Sequence, residues 1–257
     1  MTITYKNISV FYTDQGSGEP IVLLHGFLEN STMWNELILE ISKTHRVIAL
    51  DLLGHGKTEC LGYIHSMELM AQAVKAVLSY LKINKSILIG HSMGGYVALA
   101  YAEKHPNSLN GICLMNSTFL ADDLARQNIR IRANNMAKTN FESLVHMSFT
   151  NLFSAESKNN YRNQLETALN EALKTPLQGY MAANEGMMIR KDRTQIFKNL
   201  RCKKLLIIGK KDPIVDGKIL KDILKDSDVE IAEFSEGHMS HIENSKELTY
   251  KVMHFIE

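Results

Sequence analysis

Short apolar runs recur along the chain, and most of them end at a glycine or a polar residue. Runs that do not alternate with polar residues are typical of strands covered on both faces, as in a parallel sheet. We therefore predict an N-terminal pair of strands at 2–6 and 9–14, followed by buried strands at 21–24, 46–50, 86–89, 110–115, 203–208 and 229–234.

Segments with helical character lie between these runs. Residues 67–81 repeat apolar side chains at helical spacing, and Ser66 is a suitable N-cap for them. Residues 93–104 are small and apolar, which suits a helix packed closely on a sheet. This alternation predicts an α/β fold with a mostly parallel, doubly wound sheet.

Two further helix starts are predicted from local signals. Proline is tolerated at the first helical position, so we expect Pro213 to begin a helix. Asn244 and Glu247 resemble a capping box before the last helix.

Residues 119–193 break the alternation of strand and helix. Their pattern is helical and polar, is rich in Met and Asn, and contains no convincing buried strand. We predict that they form a helical cap inserted into a core domain made of residues 1–118 and 194–257.

Composition and charge exclude several functional classes. Lys and Arg number 29 against 28 Asp and Glu, so the chain carries no basic footprint for nucleic acid. The apolar runs are too short to span a membrane, and the first residues do not resemble a signal peptide. Cys60, Cys113 and Cys202 are widely spaced and odd in number, which indicates free thiols in a reducing compartment. We therefore expect a cytoplasmic protein with neither nucleic acid nor a membrane as its partner.

A candidate nucleophile lies in Gly90-His91-Ser92-Met93-Gly94, which fits the pattern G-x-S-x-G. The segment follows an apolar strand and begins a small-residue helix, the context in which this pattern forms a tight turn with an exposed serine. Glycine on both sides leaves room for such a turn. We predict that Ser92 is the nucleophile.

The loop His25-Gly26-Phe27-Leu28 follows the strand at 21–24. In the same architecture, this loop supplies one backbone donor of an oxyanion hole, and the residue after the nucleophile supplies the other. We expect the amides of Phe27 and Met93 to be these donors. We interpret the His25 ring as structural.

The remaining members of a catalytic triad are predicted from strand ends. Asp212 follows the strand at 203–208, and a carboxylate at that end of a strand can reach the same sheet edge as Ser92. His238 follows the strand at 229–234 and a glycine that permits a sharp turn. We favour Asp212 over Asp216 as the acid, and His238 over His241 as the base. The order Ser, Asp, His is that of α/β-hydrolase triads.

These motifs together resemble the α/β-hydrolase superfamily. Five segments carry the resemblance in family order: residues 25–28, 51–56, 90–95, 209–213 and 237–243. Within the superfamily, the chain is similar to the serine carboxylesterase and enol-lactonase branch. Serine at position 92 argues against the haloalkane dehalogenases and epoxide hydrolases, which use an aspartate nucleophile. Some members place the acid after the strand that ends near Asn116, where this chain has none.

The resemblance leaves the reaction open. We predict a serine esterase of the EC 3.1.1 type that cleaves a small ester, thioester or lactone through an acyl-enzyme, without a cofactor. A synthase of the menaquinone-pathway type and a carbon–carbon bond hydrolase are alternatives with the same triad, and a triad-containing ligand sensor is a non-enzymatic one. The oligomeric state is open.

Substrate contacts and metal ligands have weaker signals. We take Leu28, Trp34 and Met239 as candidates for the substrate pocket. The only H-x-x-H pair is His238 and His241, and the first of these is required for the triad, so we predict no metal site. Four arginines of the predicted cap are interpreted as a solvated helix face: Arg126, Arg130, Arg132 and Arg190.

Overall fold

The computed structural model describes residues 1–257, except for the side chain of Ala155. Within these residues, eight strands form one sheet. The strands are β1 (Thr2–Tyr5), β2 (Ile8–Gln15), β3 (Pro20–Leu24), β4 (Arg46–Leu50), β5 (Ser86–His91), β6 (Leu109–Met115), β7 (Lys203–Gly209) and β8 (Glu230–Phe234).

The spatial order of the strands is β1-β2-β4-β3-β5-β6-β7-β8. The pairs β1–β2 and β2–β4 are antiparallel, and all other neighbouring pairs are parallel. All predicted strands are confirmed, with ends that differ by two residues or fewer. The central strands β3 to β7 are almost entirely buried, which explains why their sequences lack polar alternation.

Helices connect most of the strands. The α-helices of the described chain are α1 (Asn35–Ile41), α2 (Met67–Tyr80), α3 (Met93–Lys104), α4 (Leu124–Ala137), α5 (Phe141–Thr150), α6 (Ala155–Asn160), α7 (Arg162–Ala172), α8 (Leu177–Met188), α9 (Thr194–Asn199), α10 (Gly217–Leu224), α11 (Ser240–Glu243) and α12 (Ser245–Ile256). The predicted N-cap of α2 is confirmed, because the Ser66 side chain accepts a hydrogen bond from the Leu69 amide.

The predicted helix start at Pro213 is wrong. Helix α10 begins at Gly217, and the Asp216 side chain caps it by accepting hydrogen bonds from the Lys218 and Ile219 amides. The segment before it forms a turn instead, because the Asp212 carboxylate accepts hydrogen bonds from the amides of Ile214 and Val215.

The predicted capping box at the last helix is also wrong. Asn244 immediately precedes α12, but within the described residues its side chain makes no capping hydrogen bond to the helix backbone. Its amide group donates to the Glu247 carboxylate and to the Ser235 hydroxyl. The two side chains therefore satisfy each other rather than the first turn.

Helices cover both faces of the sheet, as expected for a doubly wound fold. One face packs against α1 and α12, with Trp34 and Phe255 among its buried side chains. The other face packs against α2, α3 and α10, with Met70 and Val97 among its buried side chains. The carboxyl ends of the parallel strands are left free between these layers, where a ligand site is expected.

The helical segment α4–α8 lies between β6 and β7 and has an apolar cluster of its own. Leu28 and Met239, from loops at the sheet edge, take part in that cluster. The division of the chain into a core and a cap domain stays a prediction. Among the described residues, no helix is both long enough and apolar enough to cross a bilayer.

Helix α8 contacts the loop between β4 and α2 through backbone atoms. A Cβ added at Gly179 would lie 2.0 Å from the Gly54 carbonyl oxygen. A Cβ added at Gly186 would lie 1.8 Å from the His65 carbonyl oxygen. Only glycine permits this approach at these two positions.

Candidate active site

Ser92 lies in a strained turn between β5 and α3. Its backbone has φ 48° and ψ −113°, a conformation that non-glycine residues rarely adopt. The turn is compact, because a Cβ at Gly90 would lie 2.4 Å from the Gly94 backbone and one at Gly94 would lie 2.1 Å from the Leu24 carbonyl oxygen. The Ser92 amide donates to the Met115 carbonyl at 2.9 Å, which ties the turn to β6.

The structure brings Ser92, Asp212 and His238 together. The Oγ of Ser92 lies 3.0 Å from Nε2 of His238, and Nδ1 of His238 lies 2.8 Å from Oδ2 of Asp212. The competing residues have other contacts. Asp216 caps α10, and His241 Nε2 lies 3.9 Å from Glu29 Oε1. The geometry is that of a hydroxyl, a base and an orienting carboxylate in series.

Asp212 is held in its ionised form despite its burial. Burial alone would raise the pKa of this carboxyl group, but the charge of His238 and several hydrogen bonds outweigh that effect and lower it. One partner that the sequence analysis missed is Asn116. Its side chain donates to Asp212 Oδ2 at 3.2 Å and to the Gly237 carbonyl at 3.0 Å. It thereby joins the loop of the acid to the loop of the base.

The loop after β3, which is the candidate oxyanion loop, forms a tight turn. Leu28 has a positive φ of 63°, and the Glu29 amide donates to the Gly26 carbonyl at 3.3 Å, which closes a four-residue turn. Within the described residues, the Phe27 amide donates no hydrogen bond. Met93 is the first residue of α3, so its amide belongs to the helix turn that has no acceptor within the helix. Both donors are therefore available for a ligand.

The His25 ring links this loop to the segment after β4. Its Nε2 accepts a hydrogen bond from the Leu52 amide at 2.8 Å, and its Nδ1 donates to the Gly26 carbonyl at 2.7 Å. Burial lowers the pKa of His25, which keeps the ring neutral in this role. These contacts agree with the structural interpretation of His25.

A buried ion pair lies directly behind the serine, and the sequence analysis did not predict it. Glu29 Oε2 accepts hydrogen bonds from the Gly26 amide at 2.6 Å and from His91 Nδ1 at 2.7 Å. The other ring nitrogen of His91 donates to the His238 carbonyl at 3.0 Å. Glu29 thus connects the oxyanion loop, through His91, to the backbone of the candidate base. No sequence signal links Glu29 to His91, because 62 positions separate them.

The two members of this pair have complementary pKa shifts. Burial opposes the charge on both side chains, but their mutual attraction outweighs it. The pKa of Glu29 falls to about 2, and that of His91 rises above its usual value. Both ring nitrogens of His91 face oxygen acceptors, which likewise favours the imidazolium form beside the Glu29 carboxylate.

A cavity of about 290 Å³, which we call the serine cavity, opens in front of Ser92 and His238. Leu28 lines it, as predicted. Trp34 and Met239 are not among its lining residues in the described chain, which contradicts the sequence prediction. Trp34 is fully buried in the core cluster on the α1 side of the sheet. Met239 is fully buried in the cluster of the α4–α8 segment.

The interpretation of the cap arginines as one solvated face is wrong for most of them. Arg130 and Arg190 pair with the buried carboxylate of Asp122. Arg126 lines the serine cavity and donates to the Ile214 carbonyl. Only Arg132 of the four is an exposed residue.

Comparison with known proteins places this geometry in a family. The model of the alpha/beta hydrolase fold matches residues 19–245. A non-heme haloperoxidase of Rhodococcus erythropolis is 36% identical over 97 residues, which cover 37% of this chain and 35% of that protein. In the curated relatives, the matched segment spans about a third of the length.

Solved structures match over nearly the whole chain. A thermophilic esterase from Thermogutta terrifontis has a TM-score of 0.91 at 26% identity, and the match covers 99% of this chain and 96% of the esterase. The enol-lactonase from Burkholderia xenovorans LB400 has a TM-score of 0.92 at 21% identity, with 100% and 99% covered, and shows the shared fold. With the family model matching most of its length, this chain belongs to the α/β-hydrolase family.

Proposed function

We propose that the protein is a serine hydrolase of the EC 3.1.1 type that cleaves small carboxylic esters, thioesters or lactones through an acyl-enzyme on Ser92. The observation that carries this proposal is the 3.0 Å separation of Ser92 Oγ and His238 Nε2, together with the Asp212 carboxylate on the other ring nitrogen. The esterase from Thermogutta terrifontis, which shares the fold over its whole length, supports the same class of reaction.

In the first half of the reaction, Ser92 Oγ attacks the carbonyl carbon while His238 Nε2 accepts the serine proton. The carbonyl oxygen gains the negative charge and accepts hydrogen bonds from the amides of Phe27 and Met93. When the intermediate collapses, the bond to the leaving oxygen or sulfur breaks, and His238 returns the proton to that atom. Asp212 holds Nδ1 protonated and stabilises the imidazolium form.

In the second half, water replaces the leaving group. His238 accepts a proton from water, the resulting hydroxide attacks the acyl carbon, and the bond to Ser92 breaks. The proton then returns to Ser92 Oγ, and the carboxylic acid leaves. A lactone follows the same course, except that its leaving oxygen stays in the product.

The lining of the serine cavity supports a small substrate with an acidic group. Aromatic and aliphatic side chains from Phe27, Tyr96 and Tyr180 surround the space beside Ser92. Arg130, which also lines it, is already paired with Asp122. Arg126 is half-buried and, among the described residues, has no carboxylate within salt-bridge distance. A carboxylate on the substrate would satisfy this guanidinium.

The test is hydrolysis of a ladder of p-nitrophenyl esters, from acetate to decanoate, by the wild-type chain and Ser92→Ala. We expect turnover of the short rungs by the wild type and a loss of at least about 10³-fold in Ser92→Ala, with an unchanged melting temperature. The matched control is Ser148→Ala, because Ser148 also lines the serine cavity but does not contact His238.

Each outcome separates the alternatives. Equal turnover by wild type and Ser92→Ala would overturn the proposal. Wild-type protein that binds esters stoichiometrically as a stable adduct, without turnover, would indicate a ligand sensor. Inactivity on every ester and lactone, with activity on a carbon–carbon or menaquinone-type substrate, would keep the triad but change the reaction.

A further inference from the structure

A second cavity, of about 330 Å³, lies on the other side of Glu29 from the serine cavity. We call it the side cavity. It runs between α7 and the start of α1, and Glu29, Glu36, Phe149, Glu171 and His241 are among its lining residues. The reaction proposed for Ser92 assigns no role to it.

One residue that lines this cavity carries a buried polar atom without a partner. Oε1 of Glu29 has no hydrogen-bond partner among the described residues. The Glu29 side chain is only 5% exposed, so solvent does not supply one either. A buried carboxylate oxygen without a partner is unfavourable, so a ligand that binds Oε1 of Glu29 is favoured.

Three donor atoms converge at this point. One ligand atom each from Glu29, His91 and His241 lies within 4.8 Å of the other two. The rings of His91 and His241 are 5.5 Å apart and meet edge to face. Two imidazoles and one carboxylate are a donor set that suits zinc and its neighbours, whereas magnesium and calcium prefer oxygen ligands alone.

Loss of one proton from His91 leaves a tautomer that suits a metal ligand. Its Nε2 faces the His238 carbonyl oxygen, which can only accept a hydrogen bond, so Nε2 carries a proton. Nδ1 is then the nitrogen that binds either a proton or a cation. A backbone carbonyl on the far nitrogen is the usual second partner of a histidine that binds a metal.

The charge of the side cavity favours cations. Glu29, Glu36 and Glu171 line it, and no lysine or arginine does so within the described chain. Glu171 pairs with Lys174, whose side chain lies outside this lining and is 66% exposed. The cavity therefore concentrates positive ions at its inner end, where Glu29 and His241 lie.

We propose that Glu29, His91 and His241 bind a divalent transition-metal cation of the Zn²⁺ class between the two cavities, where Glu29 and His241 line the side cavity and His91 lines the serine cavity. Zinc binds carboxylate oxygen and imidazole nitrogen at about 2.0–2.2 Å in a tetrahedral arrangement, in which two ligand atoms stand about 3.4 Å apart. Glu29 Oε1 and His241 Nε2 are 3.9 Å apart, so binding requires these two side chains to move closer by about half an ångström. The cavity leaves space for water as a further ligand.

Binding replaces the proton between Glu29 and His91. Three coordinate bonds form, the Nδ1–H bond of His91 breaks, and its proton goes to solvent. Glu29 can bind through Oε1 and keep Oε2 on the Gly26 amide. The proposal does not depend on the reaction assigned to Ser92.

Cobalt titration of the full-length chain tests this site directly, because Co²⁺ has visible absorption that reports its ligands. After treatment with EDTA and its removal, we expect a band that saturates at one Co²⁺ per chain and is displaced by Zn²⁺. His241→Gln should weaken binding at least tenfold. His254→Gln is the matched control, because His254 is an exposed histidine on α12.

A band that persists unchanged in His241→Gln would place the ion elsewhere on the surface and overturn the proposal, as would the absence of any band at millimolar Co²⁺. A measurement that needs no variant guards against misfolding of His241→Gln. In wild-type protein labelled with ¹⁵N-histidine, Zn²⁺ should shift the ring signals of His91 and His241 selectively among the ten histidines. Shifts confined to other histidines would contradict the proposed ligands.

Discussion

The serine cavity and the side cavity share one wall, the side chain of Glu29, and differ in charge and in backbone conformation. The serine cavity lies beside a strained turn and is lined by Arg126 and Arg130. The side cavity is lined by glutamates and by His241, whose pKa falls to about 4 because burial disfavours its charged form. The difference teaches that one carboxylate can serve two sites, since its Oε2 binds the Gly26 amide and His91 while its Oε1 lies 3.9 Å from His241.

The largest expected effect falls on the serine cavity alone. Asp212→Asn should lower kcat by about 10³- to 10⁴-fold, because the amide no longer holds the His238 tautomer or stabilises the imidazolium. Kinetics on a short p-nitrophenyl ester would measure this loss, and Co²⁺ binding should stay unchanged. Asp216→Asn is the matched control on the same loop, and comparable losses in both variants would refute the distinction between these two acids.

The next effect should reach both cavities. Glu29→Gln breaks a buried ion pair, for which we expect a loss of about 3 kcal/mol in unfolding free energy. Because the amide oxygen of Gln carries no charge, the hydrogen bonds from the Gly26 amide and His91 weaken, and kcat should also fall by about 10- to 100-fold. Glu36→Gln, which changes only the side cavity, should leave turnover unchanged. If Glu29→Gln and Glu36→Gln have the same kcat and the same unfolding free energy, Glu29 does not link the two cavities energetically.

A smaller effect concerns the positive charge of the serine cavity. Arg126→Met should lower kcat/KM by about tenfold for mono-p-nitrophenyl succinate and leave p-nitrophenyl butyrate unaffected, since only the first ester carries a carboxylate. Arg132→Met, on the exposed side of the same helix, should change neither value. Equal losses on both esters would show that Arg126 acts by packing.

A further effect, on stability alone, is a pH dependence of unfolding in the presence of EDTA. Burial lowers the pKa of His55 to about 3 and of His65 to about 4 in the folded chain. As pH falls below about 6.5, these two histidines therefore become protonated in the unfolded chain before they do so in the folded chain. Unfolding free energy should then drop by up to about 1.4 kcal/mol per pH unit for each residue.

His91 should give the opposite slope. Its folded pKa is raised, so its stabilising contribution is present below the unfolded value of about 6.5 and is lost as pH rises through the folded value. Urea unfolding across this range should show stability falling again at high pH in the wild type and not in Glu29→Gln. A fall that persists in Glu29→Gln would assign it to another group.

Sequence reasoning predicted the parts that local pattern encodes. The buried strands and the glycine-flanked turn at Ser92 are each determined by a few consecutive residues. The Glu29–His91 pair was missed because it joins two loops through side chains alone. The helix start predicted at Pro213 was wrong because the Asp212 carboxylate accepts hydrogen bonds from the amides of the following turn. A rule that considers only proline at the first helical position does not include this interaction.

The glycine contacts of α8 have a consequence for anyone who redesigns the substrate range of this chain. With Gly179 and Gly186 set against the backbone of the loop before α2, α8 cannot be exchanged for a helix of ordinary composition without being pushed away from that loop. Helix α8 also lines the serine cavity, with Tyr180, Asn184 and Met187, whereas Ile129, Ala133 and Ser148 line it from α4 and α5, where no glycine contact of this kind fixes the helix. Libraries aimed at new substrates therefore belong on α4 and α5, with α8 kept as the fixed part of the scaffold.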